Sequence, residues 1–395
     1  MKIVFFTFYY PPDLGAGSFR SVSLARALSQ KMDNDDELHI ITTHPHRYAA
    51  YKATANDVES DERFVVHRIN IPRHKNTILS QIQTFGIYAV SAYRLSRKLN
   101  PDFLIGTTSR LMTGLLTGYS ARSINCKYFI DVRDIFSETI SDLFTRKNKI
   151  LGAVFKSLFS FIEKGLFHGA AGVNVVSEGF FEYFDKQGVN TSRWTFFPNG
   201  VDREFQDLQL KKDHKIKKHK TILYAGNIGD GQALDSILPN VAQKLGDSYR
   251  FLVIGCGGMK RALDREIKNK QVRNITVLPP VDRSELIEYY QRSDILFLHL
   301  NNISAFYRVL PSKIFEYAAL KRPIVAGLEG YSAEFLQNNI SHVALFSPKN
   351  VDQCIASIKG VEFSRVDDNQ VDVFIKKYAR EKIMKEMADH IFTIL

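Results

Sequence analysis

Short apolar runs of strand length alternate along the chain with longer segments whose apolar positions recur at helical spacing. The first run, KIVFFTF, is apolar at nearly every position, the pattern of a strand buried on both faces. SFRSVSLARALSQ follows, with Val22, Ala25 and Leu28 on one helical face. An acidic turn, DNDDE, leads into LHIITT, and the runs RFVVHRINI, DFLIGTT, KYFIDV and AGVNVVS complete a first series. Such alternation predicts an α/β fold, a parallel sheet with helices on both faces.

The rhythm breaks near FFPNGVDREF, where Asn199-Gly200 signals a turn. The lysine-dense stretch after it reads as a linker. A second series then begins: TILYAG, YRFLVIG, NITVLP, DILFLHL, RPIVAG and HVALF. The pattern therefore predicts an N-terminal domain over 1–200, a basic linker over 201–219 and a C-terminal domain over 220–370. The tail, 371–395, reads as a helix with an apolar stripe through Phe374, Ile383, Met387 and Ile391. It caps the second domain or crosses back to the first. Two doubly wound domains in tandem would face each other across a cleft, with ligands at the carboxyl ends of the strands.

A chain of 395 residues is too long for one ordinary core, which agrees with two domains. Its formal charge of +11 favours an anionic partner: nucleic acid, anionic lipid or a phosphorylated substrate. Three scattered cysteines, Cys126, Cys256 and Cys354, argue against a disulfide framework and fit a reducing compartment. The apolar start is short and closes in a double proline, so it reads as a strand and not as a leader. ILGAVFKSLFSFIEKGLF, the nearest thing to a membrane span, is interrupted by Lys156, Glu163 and Lys164. The wider segment from Arg146 to Phe167 mixes basic and large apolar residues. Its two readings are a helix on an anionic membrane surface and a packed helix with a charged outer face.

Glycines follow the first strand of each series: Gly15 and Gly17 in one, Gly226, Gly229 and Gly231 in the other. A third loop, VIGCGG, holds Gly255 and Gly258. Three such loops on one predicted edge point to a phosphorylated ligand, although each alone merely lets the chain turn. In RVLPSKIFEYAALKRPIVAG, Pro311 suits a first helical turn. Ser312 and Lys313 stand where an anion is favoured, with Glu316 one turn on. That arrangement suits phosphates at the helix start and ribose hydroxyls on the glutamate; its plain alternative is a capped helix with a Lys–Glu pair. His44, His46 and Arg47 follow a strand, but no third ligand has metal-binding spacing.

PSKIFEYAALKRPIVAG resembles the donor-site helix of retaining glycosyltransferases of family 4, with the GT-B fold. FYYPPDLGAGSFRSVSLARAL, FIDVRDIFSE, NVVSEGF, FFPNGVD, LYAGNIGDGQALDSIL, FLVIGCGG and RSDILFLHL match further landmarks of that family in order. The likeness is to the branch that builds bacterial O-antigen and capsule chains, including N-acetylfucosamine transferases. It implies two Rossmann-like domains facing a cleft and a nucleotide diphosphate sugar donor, with uridine as the base. It also implies a lipid-linked saccharide acceptor at the cytoplasmic membrane face, with no metal and no cofactor.

The resemblance places Gly15, Ala16 and Gly17 under the donor diphosphate. Arg20 either reaches a phosphate or the sugar, or is a solvated helix arginine. Glu316 corresponds to the ribose-binding glutamate, and the backbone of Leu310, Pro311 and Ser312 faces the diphosphate. Gly255 and Gly258 allow close packing near the nucleotide, and Leu278 to Val281 border the base. After Gly226, Asn227 and Gln232 stand where many relatives carry arginine and lysine, leaving Lys313 or Arg308 to supply that charge. Arg308 stands at the first glutamate of the family's E-x-x-x-x-x-x-x-E motif, which touches the sugar. Arg133 takes the place of a histidine at the reaction centre, followed by Asp134 and Glu138. The Arg133–Asp134 pair either points into the cleft or braces its loop, and Asp134 or Glu138 would orient the acceptor. The rival readings are a nucleotide-sugar epimerase or hydrolase on the same fold, a non-catalytic nucleotide-sugar-binding subunit, and a nucleic-acid binder. No nucleic-acid recognition module is visible.

Overall fold

A computed structural model of the chain describes residues 1–46, 54–61, 63–72, 78–108, 111–135, 137, 149–206, 208, 218–361 and 366–395. The chain forms two compact units, one of Met1–Asn199 with Arg380–Leu395, the other of Gly200–Ala379.

The first unit runs β1 (Lys2–Phe6), α1 (Ala16–Ser29), β2 (Glu37–Thr43), β3 (Val58–Asp61), β4 (Phe64–Ile69), α2 (Ile78–Leu99) and β5 (Phe103–Thr107). It continues with α3 (Leu111–Ile124), β6 (Lys127–Val132), α4 (Lys149–His168), β7 (Gly172–Val175), α5 (Gly179–Lys186) and β8 (Thr195–Phe196). The described strands order as β3-β4-β2-β1-β5-β6-β7-β8. All pairs are parallel except the edge pair β3–β4, which is antiparallel. The uniformly apolar run does become the central strand: Ile3, Val4, Phe5 and Phe6 are all buried.

Chain direction across this sheet sorts its helices. From β1 to β2 the chain steps one way, through α1. From β4 through β5 and β6 to β7 it steps the other way, through α2, α3 and α4. Right-handed crossovers then put α1 on one face and α2, α3 and α4 on the opposite one. The packing agrees, since α2 contacts α3 and α3 contacts α4.

The second unit runs α6 (Arg203–Gln206), β9 (Lys220–Ala225), α7 (Leu234–Leu245), β10 (Tyr249–Ile254), α8 (Lys260–Asn269), β11 (Ile275–Leu278) and α9 (Arg283–Arg292). β12 (Ile295–His299), α10 (Lys313–Ala319), β13 (Ile324–Gly327), α11 (Tyr331–Asn339), β14 (Val343–Phe346), α12 (Val351–Lys359) and α13 (Asp368–Tyr378) complete it. Its described strands are all parallel, in the order β11-β10-β9-β12-β13-β14. Ile222, Phe251, Val253, Ile237 and Phe297 centre its core.

Two boundaries differ from the sequence expectation. The linker expected over 201–219 starts too early. Phe205 is buried, and Val201 N donates to Tyr378 O at 2.7 Å within the second unit. Residues 207 and 209–217 lie outside the described ones. The tail is two helices and not one. Ala379 takes φ −56° and ψ 122°, which ends α13, and bridges to Val201. Phe374 then packs on Phe315 in the second unit, whereas α14 (Arg380–Ile394) packs on α1 in the first.

Candidate active site

The second unit gathers most of the sequence-selected residues at the carboxyl edge of its sheet. Gly226 follows β9 with φ 154°, and a Cβ there would stand 2.3 Å from Lys313 Cε. Gly255 follows β10 with φ 151°, and its Cβ would stand 1.8 Å from the Gly226 carbonyl oxygen. The two loops thus touch backbone to backbone, with the lysine lying across the first, and only glycine fits both positions. Gly257, which the sequence reading passed over, meets Ile228 O in the same way, at 2.4 Å. Gly258 faces open space, so no neighbour requires its small size.

The loop after Gly226 is pinned from several sides. Tyr224 OH donates to Asn227 O at 2.6 Å, and Asn227 Nδ2 donates to Gln232 Oε1 at 3.1 Å. Asn227 and Gln232 therefore brace the loop. From the end of β12, His299 Nδ1 donates to Gln232 O (2.7 Å), Asn301 N to Gly231 O (2.8 Å) and Asn301 Nδ2 to Asp230 O (2.9 Å). Three successive carbonyls are held by one strand end. His299 Nε2 accepts from Lys349 N at 2.9 Å, which fixes a neutral Nδ1–H tautomer. Burial pushes the pKa of this imidazole down to about 4.

α10 has seven residues and begins at Lys313, so Pro311 and Ser312 precede it and do not form its first turn. Burial lowers the Lys313 pKa; Glu316 opposes that shift and Arg283 adds to it. Its Nζ lies 5.9 Å from the Tyr317 ring centroid. Glu316 is buried, and both its oxygens are engaged: Oε1 accepts from Arg283 Nη1 at 3.4 Å, Oε2 from Tyr290 OH at 3.2 Å. Arg283 also pairs with Asp202 and lies 4.5 Å above the Phe205 ring centroid. Burial, then the charge of Glu316, holds the Tyr290 hydroxyl well above its ordinary pKa, so it serves as a donor. Arg283 and Tyr290 escaped the sequence reading because nothing in VDRSELIEYY links them to a glutamate about thirty positions on, and Asp202 because it lies more than a hundred positions before that glutamate.

Leu310 is buried, and Val281 is half-buried two positions before Arg283. Arg308 follows a short 3-10 turn, Ser304–Tyr307, and its Nη1 donates to Ser304 O at 3.2 Å.

In the first unit, Gly15 caps α1 at φ 158°, and Phe19 N donates to its carbonyl at 3.1 Å. Ala16 and Gly17 open the helix. Arg20 corrects the alternative of a solvated helix arginine. It is buried, with Nε 2.7 Å from Asp131 Oδ2 and Nη2 2.9 Å from Asp131 Oδ1. Nη1 donates to Pro198 O at 2.7 Å and Nη2 also donates to Phe197 O at 2.8 Å. A carboxylate in the apolar run KYFIDV demands such a partner, and that was the missed signal. Arg133 follows β6; its N donates to Thr108 Oγ1 at 2.9 Å and its Nη2 to Asn199 Oδ1 at 3.5 Å. Asp134 is exposed beside it. Glu138 and Arg47 lie outside the described residues. His44 Nε2 pairs with Asp57 Oδ1 at 2.8 Å, and His46 Nδ1 bonds His44 O at 2.9 Å. Among the described residues, no cluster of three or more His, Cys, Asp or Glu could hold a metal ion.

A cation lying across a glycine loop, with an oriented carboxylate one turn away, is a composition that a nucleotide diphosphate fits. Sequence comparison agrees for this unit. Residues 206–381 match the family of glycosyl transferases group 1. The group 1 match takes in every residue of the second unit that the sequence selected, from Gly226 to Glu316, but not Asp202. Beyond it, the chain is 23% identical to the putative colanic acid biosynthesis glycosyl transferase WcaI of Escherichia coli strain K12, over 91% of each chain. Among solved structures it is similar to HepE of Anabaena in complex with UDP and glucose (12% identity, TM-score 0.67, 100% of both chains covered). It is also similar to the trehalose-6-phosphate synthase OtsA (11% identity, TM-score 0.70, 100% of both). The fold is GT-B in type, α/β with two doubly wound parallel-sheet domains.

Proposed function

We propose that the chain is a retaining, metal-independent glycosyltransferase. It moves a sugar from a nucleotide diphosphate sugar, with uridine as the base, to a lipid-linked saccharide at the cytoplasmic face of a membrane. The product is a cell-surface polysaccharide of the O-antigen or capsule kind, and an anionic membrane surface is a partner. The observation that carries this reading is the placement of Lys313 across Gly226 with Glu316 held by Arg283 and Tyr290. A half-buried ammonium whose charge is opposed by burial gains strongly from a diphosphate. Each Glu316 oxygen accepts one hydrogen bond and keeps capacity for a ribose hydroxyl. The colanic acid role ascribed to the E. coli relative supports a polysaccharide product, and the UDP bound in HepE supports the base.

Retention places the acceptor oxygen on the leaving-group side, where the departing phosphate takes the acceptor's proton. The chain must then supply positive charge and N–H donors to that phosphate and position the acceptor. Lys313 provides the charge, and the loops at Gly15 to Gly17 and Gly226 provide backbone. Arg133, Asp134 and Glu138 are assigned to the acceptor side. Arg308 is assigned to the sugar, favouring a deoxy, N-acetylated or acidic one.

Calorimetric titration with UDP and other nucleoside diphosphates tests the donor half. Transfer of labelled sugar to a polyprenyl-diphosphate-linked saccharide, with chelator present, tests the rest. UDP should bind, and label should reach lipid with the anomeric configuration kept. Donor turnover without any acceptor would replace transfer by hydrolysis or epimerisation.

A further inference from the structure

Among the described residues twelve large apolar side chains are exposed, and eight of them lie on α2, α3 and α4. They include Ile82 and Val90 on α2, Tyr119 on α3 and Val154, Leu158 and Phe161 on α4. Crossover handedness puts these three helices in one layer, and they touch in sequence. A concentration of exposed apolar groups on one layer marks an interaction surface.

The exposed charges of α2, α3 and α4 have one sign, while α5, which the next crossover puts on the same face, bears exposed Glu182 and Asp185 at its margin. α2 and α3 contain no Asp or Glu. The single acid of α4, Glu163, is buried, with Oε1 accepting from Ser137 N at 3.3 Å. Arg94, Arg97, Lys98, Arg122, Lys156 and Lys164 are all exposed.

α4 inverts the usual pattern of a surface helix. Ser160 and Glu163 are buried, while Val154, Leu158 and Phe161 are 57%, 49% and 77% exposed. Those three recur at i, i+4 and i+7, so they form one stripe. The stripe leads into a groove of about 620 Å³ at the helix end, lined by Phe161, Lys164, His168, Arg193 and Trp194 among others and by no carboxylate. Apolar groups flanked by cations fit the boundary of an anionic bilayer. A second copy of the chain would set like charges against each other in a two-fold pairing.

We infer that the layer of α2, α3 and α4 is a docking face for bilayers containing anionic phospholipid. The α4 stripe enters the headgroup–acyl boundary, and the groove beside Lys164 and Arg193 receives lipid phosphate. The inference rests on the reading of an acceptor held in a membrane and names the surface that meets it.

Trp194 is the only tryptophan of the chain and lines the groove, so it reports directly. The full chain should sediment with phosphatidylcholine vesicles carrying phosphatidylglycerol and not with phosphatidylcholine alone. A headgroup nitroxide lipid should quench Trp194. Lys156→Gln with Lys164→Gln should weaken partition about fivefold per charge at low salt, and less at high salt. Phe161→Ser should weaken it as well, with an unchanged circular-dichroism melt. Equal binding to uncharged vesicles, variants that partition like the parent, or a dimer that Phe161→Ser dissolves would each overturn the docking face. UDP titration of the same samples separates the two readings. Vesicle binding lost with UDP binding kept removes the docking face alone, and the reverse removes the donor site alone.

Discussion

Arg20 and Asp131 form a buried two-pronged ion pair that ties α1 to β6: Nε to Oδ2 at 2.7 Å, Nη2 to Oδ1 at 2.9 Å. Asn174 Nδ2 donates to the same carboxylate at 2.7 Å, and the guanidinium reaches two carbonyls beyond β8. Burial works against the Asp131 charge, yet Arg20 outweighs it and holds the carboxyl below its ordinary pKa. Asp131→Ala strands a buried guanidinium, and urea unfolding should show a loss of about 3–5 kcal/mol. Arg20→Lys keeps the charge and loses the fork, so it should destabilise the fold and leave UDP affinity unchanged. An unmoved unfolding midpoint with weakened UDP binding would make Arg20 a ligand contact after all.

Two buried histidines make the second unit sensitive to mild acid. His299 and His342 both have pKa values pushed down from 6.5 to about 4 by burial. The unfolded chain binds protons first, so stability is intact above about pH 6.5 and is lost as pH falls toward 4. Each histidine should account for about 2 kcal/mol between neutrality and pH 5. Neither ring nitrogen of His342 has a hydrogen-bond partner, so His342→Leu leaves no partner unmet. Unfolding of that variant near pH 7 and near pH 5 should show a smaller difference than in the parent. An equal difference would assign the acid loss to other groups.

The strand runs were legible because parallel strands buried on both faces are nearly all apolar, and each quoted run became a strand of the expected sheet. The break at Ala379 was missed, although Phe374 and Ile383 are nine residues apart, about two and a half helical turns, so the apolar stripe changes face between them. Only the bridge to Val201 reveals that the two halves bury their stripes in different cores. At the candidate site, glycines and Lys313 were readable from local pattern. What they touch was not: Gly255 serves Gly226, and Gly226 serves Lys313. Arg283 was invisible for the same reason, because its partners Asp202 and Glu316 lie far away in sequence.

Gly226 and Lys313 should act as one device. A Cβ at residue 226 would meet Lys313 Cε at 2.3 Å, on a backbone at φ 154° that L side chains rarely adopt. Gly226→Ala should therefore displace the lysine and strain the loop together. Lys313→Ala removes the cation, and UDP affinity should fall by about 1.5–3 kcal/mol, the value of a hydrogen bond to a charged group. Uridine, which lacks the diphosphate, should bind both proteins alike. If the two substitutions are additive in calorimetry, the glycine and the lysine work independently and the proposed coupling is wrong.

Glu316 receives one hydrogen bond on each oxygen, from Arg283 Nη1 at 3.4 Å and from Tyr290 OH at 3.2 Å, before any ligand arrives. These donors fix the plane of the carboxylate, so Tyr290 acts by positioning. Tyr290→Phe keeps the ring and removes one donor, and UDP affinity should drop by about 0.5–1.5 kcal/mol. Arg283→Met does more, because it also removes the ion pair with the buried Asp202 carboxylate and the contact over the Phe205 ring. It should cost several kcal/mol of stability as well as affinity. The decisive comparison is 2′,3′-dideoxyuridine diphosphate against UDP. If Glu316 receives the ribose hydroxyls, the parent should prefer UDP, and Glu316→Gln and Tyr290→Phe should both narrow that preference. Binding of the dideoxy compound as tightly as UDP by the parent would leave Glu316 a structural carboxylate, held by Arg283 for the fold alone.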